Sequence, residues 1–403
     1  MNKINIGIIG GGAAGFFAAI EIASLNPSFH VTILEKTEKL LTKVLVSGGG
    51  RCNITNACFD TDELIKNYPR GNKELRNIFH RFNPADTIEW FESKGVQLKT
   101  EKDNRVFPVT DNSETIINLF LQLTGKYNAE IIKDYSVKEI EKSSYGFILN
   151  PDSKFKITFD KLVIATGGNS RPEFYSMFEK LGHTIIPPVP SLFTFNVENH
   201  PLEGLEGISL EKVKVKITDT KLQQEGPFLL THWGFSGPVI LKLSAFGARL
   251  INDMNYNFDV EINWVPDVND IMKYLTDIKS NFPNKIIHSA SQFYLPLRLW
   301  KRLVELAGIN EDLKWTETSK EKLKTFSDIL TANRFQVKGK TTFKEEFVTA
   351  GGVSLKEVDF KNMESKICKG LYFAGEVLDI DGITGGFNFQ SAWSTAFIAA
   401  NGI

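Results

Sequence analysis

The chain has 403 residues, of which 42% are hydrophobic and 24% are charged, so it is long enough to bury one large core or two to three smaller ones. Its 47 basic residues nearly balance its 48 acidic residues, so no overall field attracts it to nucleic acid or anionic lipid. Three cysteines without a C-x-x-C pair predict no disulfide, no zinc site and a reducing, cytoplasmic environment. We expect neither secretion nor membrane insertion, because the chain opens on a short apolar strand and lacks a long apolar run.

The first 35 residues predict a strand, a glycine turn, a helix and a second strand. Residues 4–9 are mostly apolar, residues 13–25 show helical spacing of apolar side chains, and Pro27 ends that pattern. Residues 30–35 again resemble a strand. This order is typical of the opening βαβ unit of a dinucleotide-binding fold.

A G-x-G-x-x-G motif occupies the first turn. Gly10 permits the tight turn, Gly12 lets a pyrophosphate approach the backbone, and Gly15 allows close packing of helix on strand. Glu35 follows Gly15 by twenty residues, where an acidic side chain accepts hydrogen bonds from a ribose. A glycine turn with an unrelated surface glutamate fits this context less well, so the motif predicts a bound adenine dinucleotide.

The pattern of predicted elements changes near Pro187, where a proline-rich junction begins. Before the junction we predict helices at 84–95 and 113–127, short strands over 137–160 and a buried parallel strand at 161–166. After it we predict antiparallel strands at 212–217 and 257–262, helices at 268–281, 296–307 and 319–330, a strand at 370–374 and a final helix at 389–400.

A second glycine motif runs from Ser47 to Asn56 and contains three consecutive glycines. Such a run is costly to order, so its expected use is to let backbone pass close to a ligand, with Arg51 and the asparagines as polar contacts. A plain surface loop is the alternative, and composition alone leaves both open.

A third motif lies near the C-terminus. Residues 371–376 predict a strand that runs into a glycine turn with Glu376, as in flavoproteins whose carboxylate meets the ribityl chain. Residues 382–390 then open the final helix, whose N-terminus can face a flavin ring and favour negative charge on its reduced form. An ordinary turn carboxylate is the alternative for Glu376.

These motifs resemble those of the YhiN/BaiN-like family of bacterial NAD(P)/FAD-dependent flavoprotein oxidoreductases, from end to end. The matching stretches are GGGRCNITN, ATGG at 165–168, THWGFSGP at 231–238, TAGGV at 349–353 and GLYFAGEVLDIDGITGGFNFQSAWSTA from residue 370. The resemblance implies an α/β fold with a two-segment Rossmann-type FAD-binding domain, residues 1–190 and 345–403. A β-barrel-like domain, 191–265, and a helical domain, 266–344, form the insert.

The motifs and the resemblance together define the predicted FAD contacts. These contacts are Gly10, Gly12, Ala14, Gly15, Glu35, Lys36, Lys43, Ser47, Gly48, Gly49, Gly50, Arg51, Asn53, Thr166, Gly167, Gly168, Gly375, Glu376, Asp381, Gly385, Gly386, Phe387 and Asn388.

Cys52 and His232 are the candidate catalytic residues. Five residues separate Cys52 from Cys58, one more than in the redox pair of disulfide reductases, which disfavours a redox disulfide. An exposed Cys52 thiol could instead deliver a proton after hydride transfer, with a structural thiol as the alternative. His232 could act as an acid or contact a substrate, although a histidine in a turn is more often a hydrogen-bonded packing residue.

No second G-x-G-x-x-G exists to form a nicotinamide-binding domain. NAD(P)H is therefore expected to dock transiently and reduce the flavin, which passes hydride to an electron-poor double bond. The resemblance implies three substrate classes: uridine in 23S ribosomal RNA, which becomes dihydrouridine, a bile-acid-type enone, and a small amine that is oxidised. A regulatory or structural flavoprotein is a further alternative.

Three basic groups could hold RNA phosphates, although such groups are usually solvated surface. They are Lys212, Lys214 and Lys216 on one strand face, Arg298 and Arg302 one helical turn apart, and Lys338, Lys340 and Lys344. We expect an RNA substrate mainly on the resemblance, with no membrane partner and no metal.

Overall fold

The structure is a computed structural model that describes residues 3–341 and 348–403. The chain divides into two compact units: Met1–Ser191 with Phe343–Ile403 form the first, and Leu192–Thr342 form the second. Both ends of the chain thus lie in one unit, and the prediction of a two-segment Rossmann-type domain is confirmed. The finer boundaries at 190, 265 and 344 stay predictions, and the last lies outside the described residues.

The first segment of the first unit supplies strands and helices up to residue 190. They are β1 (Asn5–Ile9), α1 (Ala13–Leu25), β2 (His30–Leu34), α2 (Thr42–Gly50), β3 (Thr55–Asn56), α3 (Thr61–Ile65), α4 (Asn72–Phe79), α5 (Pro84–Ser93), β4 (Leu98–Thr100), β5 (Arg105–Pro108), α6 (Glu114–Lys126), β6 (Glu130–Ile132), β7 (Ile140–Ser143), β8 (Gly146–Leu149), β9 (Ile157–Phe159), β10 (Lys161–Ile164), α7 (Ser176–Glu179) and β11 (Ile185–Pro190).

The second unit follows, and the chain then returns to the first. The second unit contains β12 (Thr194–Asn196), β13 (Ser209–Ile217), β14 (Gln223–Thr231), β15 (Gly234–Ser236), α8 (Pro238–Asp253), β16 (Asn257–Asn263), α9 (Ile271–Asn281), α10 (Leu297–Leu306), α11 (Lys320–Ala332), β17 (Asn333–Lys338) and β18 (Lys340–Thr341). The returning segment contains β19 (Thr349–Val353), β20 (Val358–Asp359), β21 (Glu364–Ser365), β22 (Leu371–Phe373) and α12 (Phe387–Gly402).

A seven-stranded sheet organises the first unit, in the order β20-β21-β22-β10-β1-β2-β6. The five strands from β22 to β6 pair in parallel, while β20 and β21 add an antiparallel edge. The sequences of β1, β10 and β22 are almost entirely apolar. This is expected because helices cover a parallel sheet on both faces, so side chains on either face of a strand are buried. Strands from the two ends of the sequence therefore lie side by side in the sheet.

Helices α1 and α12 pack on each other and join the two chain ends. Both are apolar around most of their circumference, which is typical of helices buried on several sides. Trp393 on α12 is fully buried in an aromatic cluster with Phe17 of α1, Phe91 of α5 and Phe120 of α6. This cluster ties four helices to one core.

The second unit has a seven-stranded antiparallel sheet in the order β17-β16-β13-β14-β15-β12-β18. Its strands alternate buried and exposed side chains, as β16 shows, so one face packs on a core. Trp300 and Phe326 from the helices lie in the same buried cluster as Val260 and Phe335 from the sheet. Sheet and helices thus share one core.

Five of the described helices have no counterpart in the sequence prediction: α2, α3, α4, α7 and α8. Helix α8 begins at Pro238, directly after Gly237, and no element was predicted between the strands at 212–217 and 257–262. Proline is well tolerated at a first helical position, where its missing N–H has no partner to lose. Helix α2 was missed because Gly48 and Gly49 are not helix formers, and both indeed leave the helical backbone conformation. None of the described helices is long and apolar enough to cross a membrane.

We expect Trp393→Ala to lower the free energy of unfolding of the first unit by about 3–5 kcal/mol, because a buried aromatic side chain leaves a cavity. Urea denaturation followed by circular dichroism measures this. Tyr145→Ala is the control: Tyr145 is 90% exposed, so its loss should cost no more than about 0.5 kcal/mol. Equal costs for the two variants would contradict the central position of Trp393.

Candidate cofactor site

The carboxyl ends of three parallel strands meet at one edge of the first unit's sheet. Gly10 follows β1, Ala165 follows β10 and Ala374 follows β22. The Ala374 N–H donates to the Ile164 carbonyl at 2.9 Å, and the Ala165 N–H donates to the Ile9 carbonyl at 2.9 Å, so the ladder continues to this edge. Ligands of open parallel sheets bind at such an edge.

The glycines of the first turn differ in what surrounds them. A Cβ atom on Gly15 would lie 1.9 Å from the Gly10 carbonyl oxygen, and one on Gly10 would lie 2.3 Å from the Ala165 oxygen. Both positions therefore exclude a side chain because of the protein's own packing. A Cβ on Gly12 would meet no protein atom within 4 Å. Gly12 thus borders open space beside the strand ends.

Helix α1 begins beside that open space. Gly12 is its N-cap residue, and no side chain caps it. The first N–H groups of a helix lack partners within the helix, and its dipole favours negative charge there. The turn can therefore bind an anion such as a phosphate.

Glu35 holds this turn against the end of β2. One of its carboxylate oxygens accepts the Gly11 N–H at 2.9 Å, and the other accepts the Thr37 N–H at 3.1 Å. Lys36, which lies between Glu35 and Thr37 in the sequence, is exposed. The carboxylate is fixed at the edge of the sheet and retains lone pairs for a hydroxyl donor.

Glu376 lies beneath the loop after β10. Its carboxylate pairs with Lys43 of α2 at 2.6 Å and accepts the Thr349 N–H at 2.9 Å. A Cβ on Gly168 would lie 2.7 Å from the Glu376 oxygen and 2.7 Å from the Thr349 hydroxyl oxygen. The glycine at 168 is therefore required by the close approach of this carboxylate.

The C-terminal turn lies against the start of α1. A Cβ on Gly375 would lie 3.1 Å from the Ala14 Cβ, and the Gly375 N–H donates to the Thr395 hydroxyl at 2.9 Å. Thr166 and Gly167 are partly exposed in the loop after β10. The predicted residues of both chain ends are thus brought to the same edge of the sheet.

The three consecutive glycines form a left-handed stretch of backbone. Their φ angles are 59°, 70° and 83° at Gly48, Gly49 and Gly50, a conformation that side-chain-bearing residues rarely adopt in succession. The Ser47 carbonyl accepts the Cys52 N–H at 3.0 Å and closes the turn.

Arg51 is engaged within the protein. Its guanidinium pairs with Glu101 at 2.6 Å and lies 4.0 Å from the centre of the Phe107 ring. Arg51 therefore connects the glycine turn to β5. Its contact with a cofactor stays a prediction.

Two asparagines of the same motif clamp the C-terminal glycine turn. With its amide oriented to satisfy both polar atoms, Asn53 accepts the Gly386 N–H at 2.9 Å. The Asn56 amide donates to the Gly385 carbonyl at 3.1 Å. A Cβ on Gly386 would lie 2.5 Å from the Thr55 backbone, so the two motifs are in direct contact.

Further hydrogen bonds fix the start of α12. The Asn388 amide bonds both backbone polar groups of Gly382, at 2.8 and 2.9 Å, and the Tyr68 hydroxyl donates to the Phe387 carbonyl at 2.7 Å. The sequence analysis did not identify Tyr68, because its role depends on a hydrogen bond to Phe387, which lies 319 residues further along the chain.

Asp381 belongs to a buried ion pair. Its side chain is fully buried and is bound by the Arg70 guanidinium through two nitrogens and by the Ser191 hydroxyl. Burial raises the pKa of Asp381 above its ordinary value, and the Arg70 charge counteracts this effect. Sequence reasoning missed Arg70, although an acidic residue in an apolar turn requires a cationic partner once it is buried.

The expectation that Cys52 is exposed is wrong. The residue has 0% exposure and a φ of 59°, and burial raises the pKa of its thiol to about 12. Such a thiol holds its proton away from solvent, which favours the structural alternative. Cys52, Cys58 and Cys368 are free thiols.

His232 lies in the second unit, on the exposed turn between β14 and β15. The other predicted site residues all belong to the first unit. A catalytic role for His232 therefore stays a prediction.

A parallel sheet with a glycine turn, an uncapped helix N-terminus and an acidic residue at its carboxyl edge defines a Rossmann-type dinucleotide-binding protein. The chain matches the HI0933-like protein Rossmann domain family over residues 4–402. It is 31% identical to a ribosomal RNA dihydrouridine synthase of Haemophilus influenzae, covering 98% of this chain and 96% of that protein. It is 28% identical to a 3-dehydro-bile acid delta(4,6)-reductase of Clostridium scindens, and the alignment covers 99% of this chain and 98% of the reductase.

Among solved structures, the chain is similar to 3-ketosteroid delta1-dehydrogenase from Sterolibacterium denitrificans, with a TM-score of 0.50 and 11% sequence identity. The superposition covers 100% of this chain and 99% of the dehydrogenase chain. That likeness concerns the fold alone. The chain belongs to the HI0933-like Rossmann family, and the resemblance to the YhiN/BaiN-like flavoproteins is confirmed. It is an FAD-dependent oxidoreductase of that family.

We expect Arg70→Met to lower the free energy of unfolding by about 3–5 kcal/mol at neutral pH, because it leaves the Asp381 carboxylate buried without a partner. Without the guanidinium, the effect of burial on Asp381 is opposed only by the Ser191 hydrogen bond, so the pKa of Asp381 in the folded state rises further above the unfolded value. A group with a raised folded pKa contributes most stability at low pH and loses it as pH rises through that pKa. The deficit should therefore be smaller at about pH 5 than at about pH 8.

Denaturation at both pH values tests this, with Arg76→Met as the matched control. Arg76 pairs with Asp62 on the surface, where both side chains are about half exposed or more. Its removal should cost at most about 1 kcal/mol at either pH. A deficit for Arg70→Met that grows as the pH falls would contradict the assignment.

Proposed function

We propose that the carboxyl edge of the first unit's sheet holds the FAD, and the open space at Gly12 is the observation that carries this proposal. Two of the three glycines are required by packing, whereas Gly12 has no packing reason to lack a side chain. The uncapped N-terminus of α1 lies at the same point, and Glu35 is fixed beside it. This combination fits the pyrophosphate and the adenosine ribose of a dinucleotide.

The predicted contacts fall into two groups in this proposal. Direct contacts come from the residues that border the edge: Gly10, Gly12, Ala14, Gly15, Glu35, Lys36, Lys43, Thr166, Gly167, Gly168, Gly375, Glu376, and the backbone of Ser47–Gly50 and Gly385–Phe387. Positioning contacts come from Asn53 and Asn388, which hydrogen-bond Gly386 and Gly382, and from Arg51 and Asp381, which are held in ion pairs with Glu101 and Arg70.

The bound FAD supplies hydride transfer, from NAD(P)H to an electron-poor double bond. The protein's own residues bind and orient the reactants. The ion pair of Lys43 with Glu376 gives the site a fixed pair of opposite charges next to the α2 glycine turn. A helix N-terminus at α12, with no acidic residue in its first turn, favours a negative charge nearby.

The substrate we favour is uridine in 23S ribosomal RNA, in the cytoplasm. The support is similarity along the whole chain to proteins named as ribosomal RNA dihydrouridine synthases, at 31% and 29% identity. The reaction would saturate the pyrimidine double bond of an unstacked base.

The basic surface of the second unit gives this substrate little support. Lys212 pairs with Glu225 and Asp267, while Lys214 and Lys216 lie opposite Glu225 and Glu261 in the strand register. These carboxylates neutralise the three lysines of β13, which would otherwise be able to bind phosphates.

The arginine pair of α10 is also engaged. Arg298 and Arg302 donate to the backbone carbonyls of Gly204 and Glu203. Lys338 and Lys340 lie among the described residues, but Lys344 of that cluster does not. The RNA proposal therefore depends on the relatives and not on charge.

A bile-acid-type enone reductase is the second candidate. It is favoured by the 28% identity, over 99% of this chain, to the 3-dehydro-bile acid delta(4,6)-reductase. Both candidate substrates contain a carbon–carbon double bond conjugated to a carbonyl, so one hydride-transfer chemistry serves both. Oxidation of a small amine stays the third possibility.

We expect Gly12→Val to fold and to lose FAD. The valine side chain would enter space that no protein atom occupies but that a pyrophosphate would fill. The flavin-to-protein ratio after purification and the thermal midpoint measure the two effects separately. Gly125→Ala, a helical glycine whose Cβ is equally free of neighbours, should keep FAD at the wild-type ratio. Release of FMN instead of FAD from the wild type would contradict the dinucleotide assignment.

We expect anaerobic NADH or NADPH to bleach the flavin and unmodified 23S rRNA fragments to reoxidise it, with dihydrouridine appearing in the RNA. Stopped-flow absorbance and mass spectrometry of the RNA measure the two steps. Disulfides should not reoxidise the flavin, because Cys52 is buried and the thiols are unpaired. Reoxidation by a steroid enone but not by RNA would establish the second candidate. Bleaching by a primary amine with turnover on oxygen would establish an oxidase.

A further inference from the structure

Among the described residues, three buried side-chain polar atoms have no hydrogen-bond partner. Trp264 Nε1 and Asn333 Nδ2 lie in the second unit, and the Thr349 hydroxyl lies in the first. An unpaired buried hydroxyl lowers stability, so nearly all such groups are paired in native structures. The exception at Thr349 therefore needs an explanation, and a ligand that completes the hydrogen bond is one.

Thr349 is the first residue of β19 and lies at the proposed FAD site. It is 0% exposed, and its backbone N–H donates to the Glu376 carboxylate at 2.9 Å. A Cβ on Gly168 would lie 2.7 Å from the Thr349 hydroxyl oxygen and 2.7 Å from the Glu376 oxygen. The unpaired hydroxyl thus lies beside a carboxylate and against the loop that follows β10.

The position of Thr349 in the fold does not depend on its hydroxyl. Backbone pairing fixes it, because Thr349 lies opposite Pro190 of β11 and the neighbouring Val348 carbonyl accepts the Ser191 N–H at 2.9 Å. Valine has the same shape and is an equally good strand former. The fold alone therefore gives no reason for a hydroxyl at this position.

The loop that packs against the hydroxyl contains two successive glycines. Gly167 and Gly168 are both partly exposed, and Gly167 has a φ angle of 72°. Residues without a Cβ atom change their backbone conformation at little steric cost. A small displacement of these two glycines would therefore open the hydroxyl to the cofactor edge and leave the sheet unchanged.

The neighbouring groups define the chemistry of the ligand atom. The Glu376 carboxylate only accepts hydrogen bonds, whereas the Thr349 hydroxyl has a proton to donate. A ligand hydroxyl satisfies both, because its proton goes to Glu376 and its oxygen accepts the Thr349 proton. A carbonyl oxygen would satisfy only Thr349 and would be repelled by the carboxylate. The pair therefore fits a hydroxyl group.

We propose that Thr349 is a further FAD-binding residue, whose hydroxyl and the Glu376 carboxylate together bind one hydroxyl group of the ribityl chain. Glu35 is placed at the adenosine ribose, so the ribityl chain is the hydroxyl-bearing part of FAD that remains for this pair. The assignment rests on the proposed FAD function and adds a residue to it. It also gives the buried hydroxyl a partner that is present only in the FAD-bound protein.

Calorimetric titration of the full-length protein, stripped of flavin, with FAD and with ADP tests the proposal. Thr349→Val keeps the shape of the side chain but removes the donor, and it should raise the Kd for FAD about five- to tenfold. ADP contains the adenosine and the pyrophosphate but no ribityl chain, so its Kd should stay unchanged. Thr349→Ser retains a hydroxyl and should recover most of the lost FAD affinity.

The thermal midpoint of the flavin-free protein gives a readout that a purely structural hydroxyl would not give. Thr349→Val removes an unpaired buried hydroxyl, so this midpoint should rise by about 2–4 °C although FAD affinity falls. Thr124→Val is the matched control. Thr124 of α6 is also buried, but its hydroxyl donates to the Phe120 carbonyl at 2.8 Å, and its loss should change neither Kd.

The role of Thr349 is overturned if Thr349→Val binds FAD as tightly as the wild type, or if it weakens ADP binding as much as FAD binding. It is also overturned if the flavin-free midpoint falls together with the affinity, or if Thr124→Val weakens FAD binding equally. Failure of the proposed function is distinct, because the wild type would then not bind FAD at all. FAD binding that Gly12→Val abolishes and Thr349→Val leaves intact would refute the role of Thr349 alone.

Discussion

The packing of α12 on α1 is the interaction on which the rest of the first unit depends. It places the last helix of the chain against the first, and with it the Gly375 turn against Ala14. Together with the pairing of β22 on β10, this contact brings the glycine turn before α12 to the strand ends begun at β1. The proposed FAD site is therefore a product of long-range helix packing as much as of local motifs.

The sequence predicts those features whose cause is local. The bounds of α1 follow from apolar spacing between a glycine turn and Pro27, and Glu35 follows from a fixed offset in a known βαβ unit. What could not be predicted depends on partners far along the chain. Arg70 and Asp381 are separated by 311 residues, and Asn56 and Gly385 by 329, so no window of sequence reveals either contact.

The same limit explains the reassigned polar residues. Arg51, Asn53 and Asn388 looked like ligand contacts because their partners were unknown, and in the structure each already binds protein atoms. Likewise, the lysines of β13 looked like a basic stripe until the strands beside them supplied glutamates in register. Charge along one strand says little about the charge of a surface, because the neighbouring strands also contribute side chains to it.

The antiparallel pair of β11 and β19 lies where the first unit's two chain segments are interrupted by the second unit. Pro190 pairs with Thr349 at the point where the chain leaves the first unit and returns to it. The whole second unit, Leu192–Thr342, is thus the loop of a β-hairpin. Closure entropy grows slowly with loop length, so extending a turn of about 5 residues to about 150 costs only about 3 kcal/mol. A recombination event at this hairpin could exchange one inserted unit for another with little effect on the flavin domain, which makes the hairpin a natural point of modular evolution.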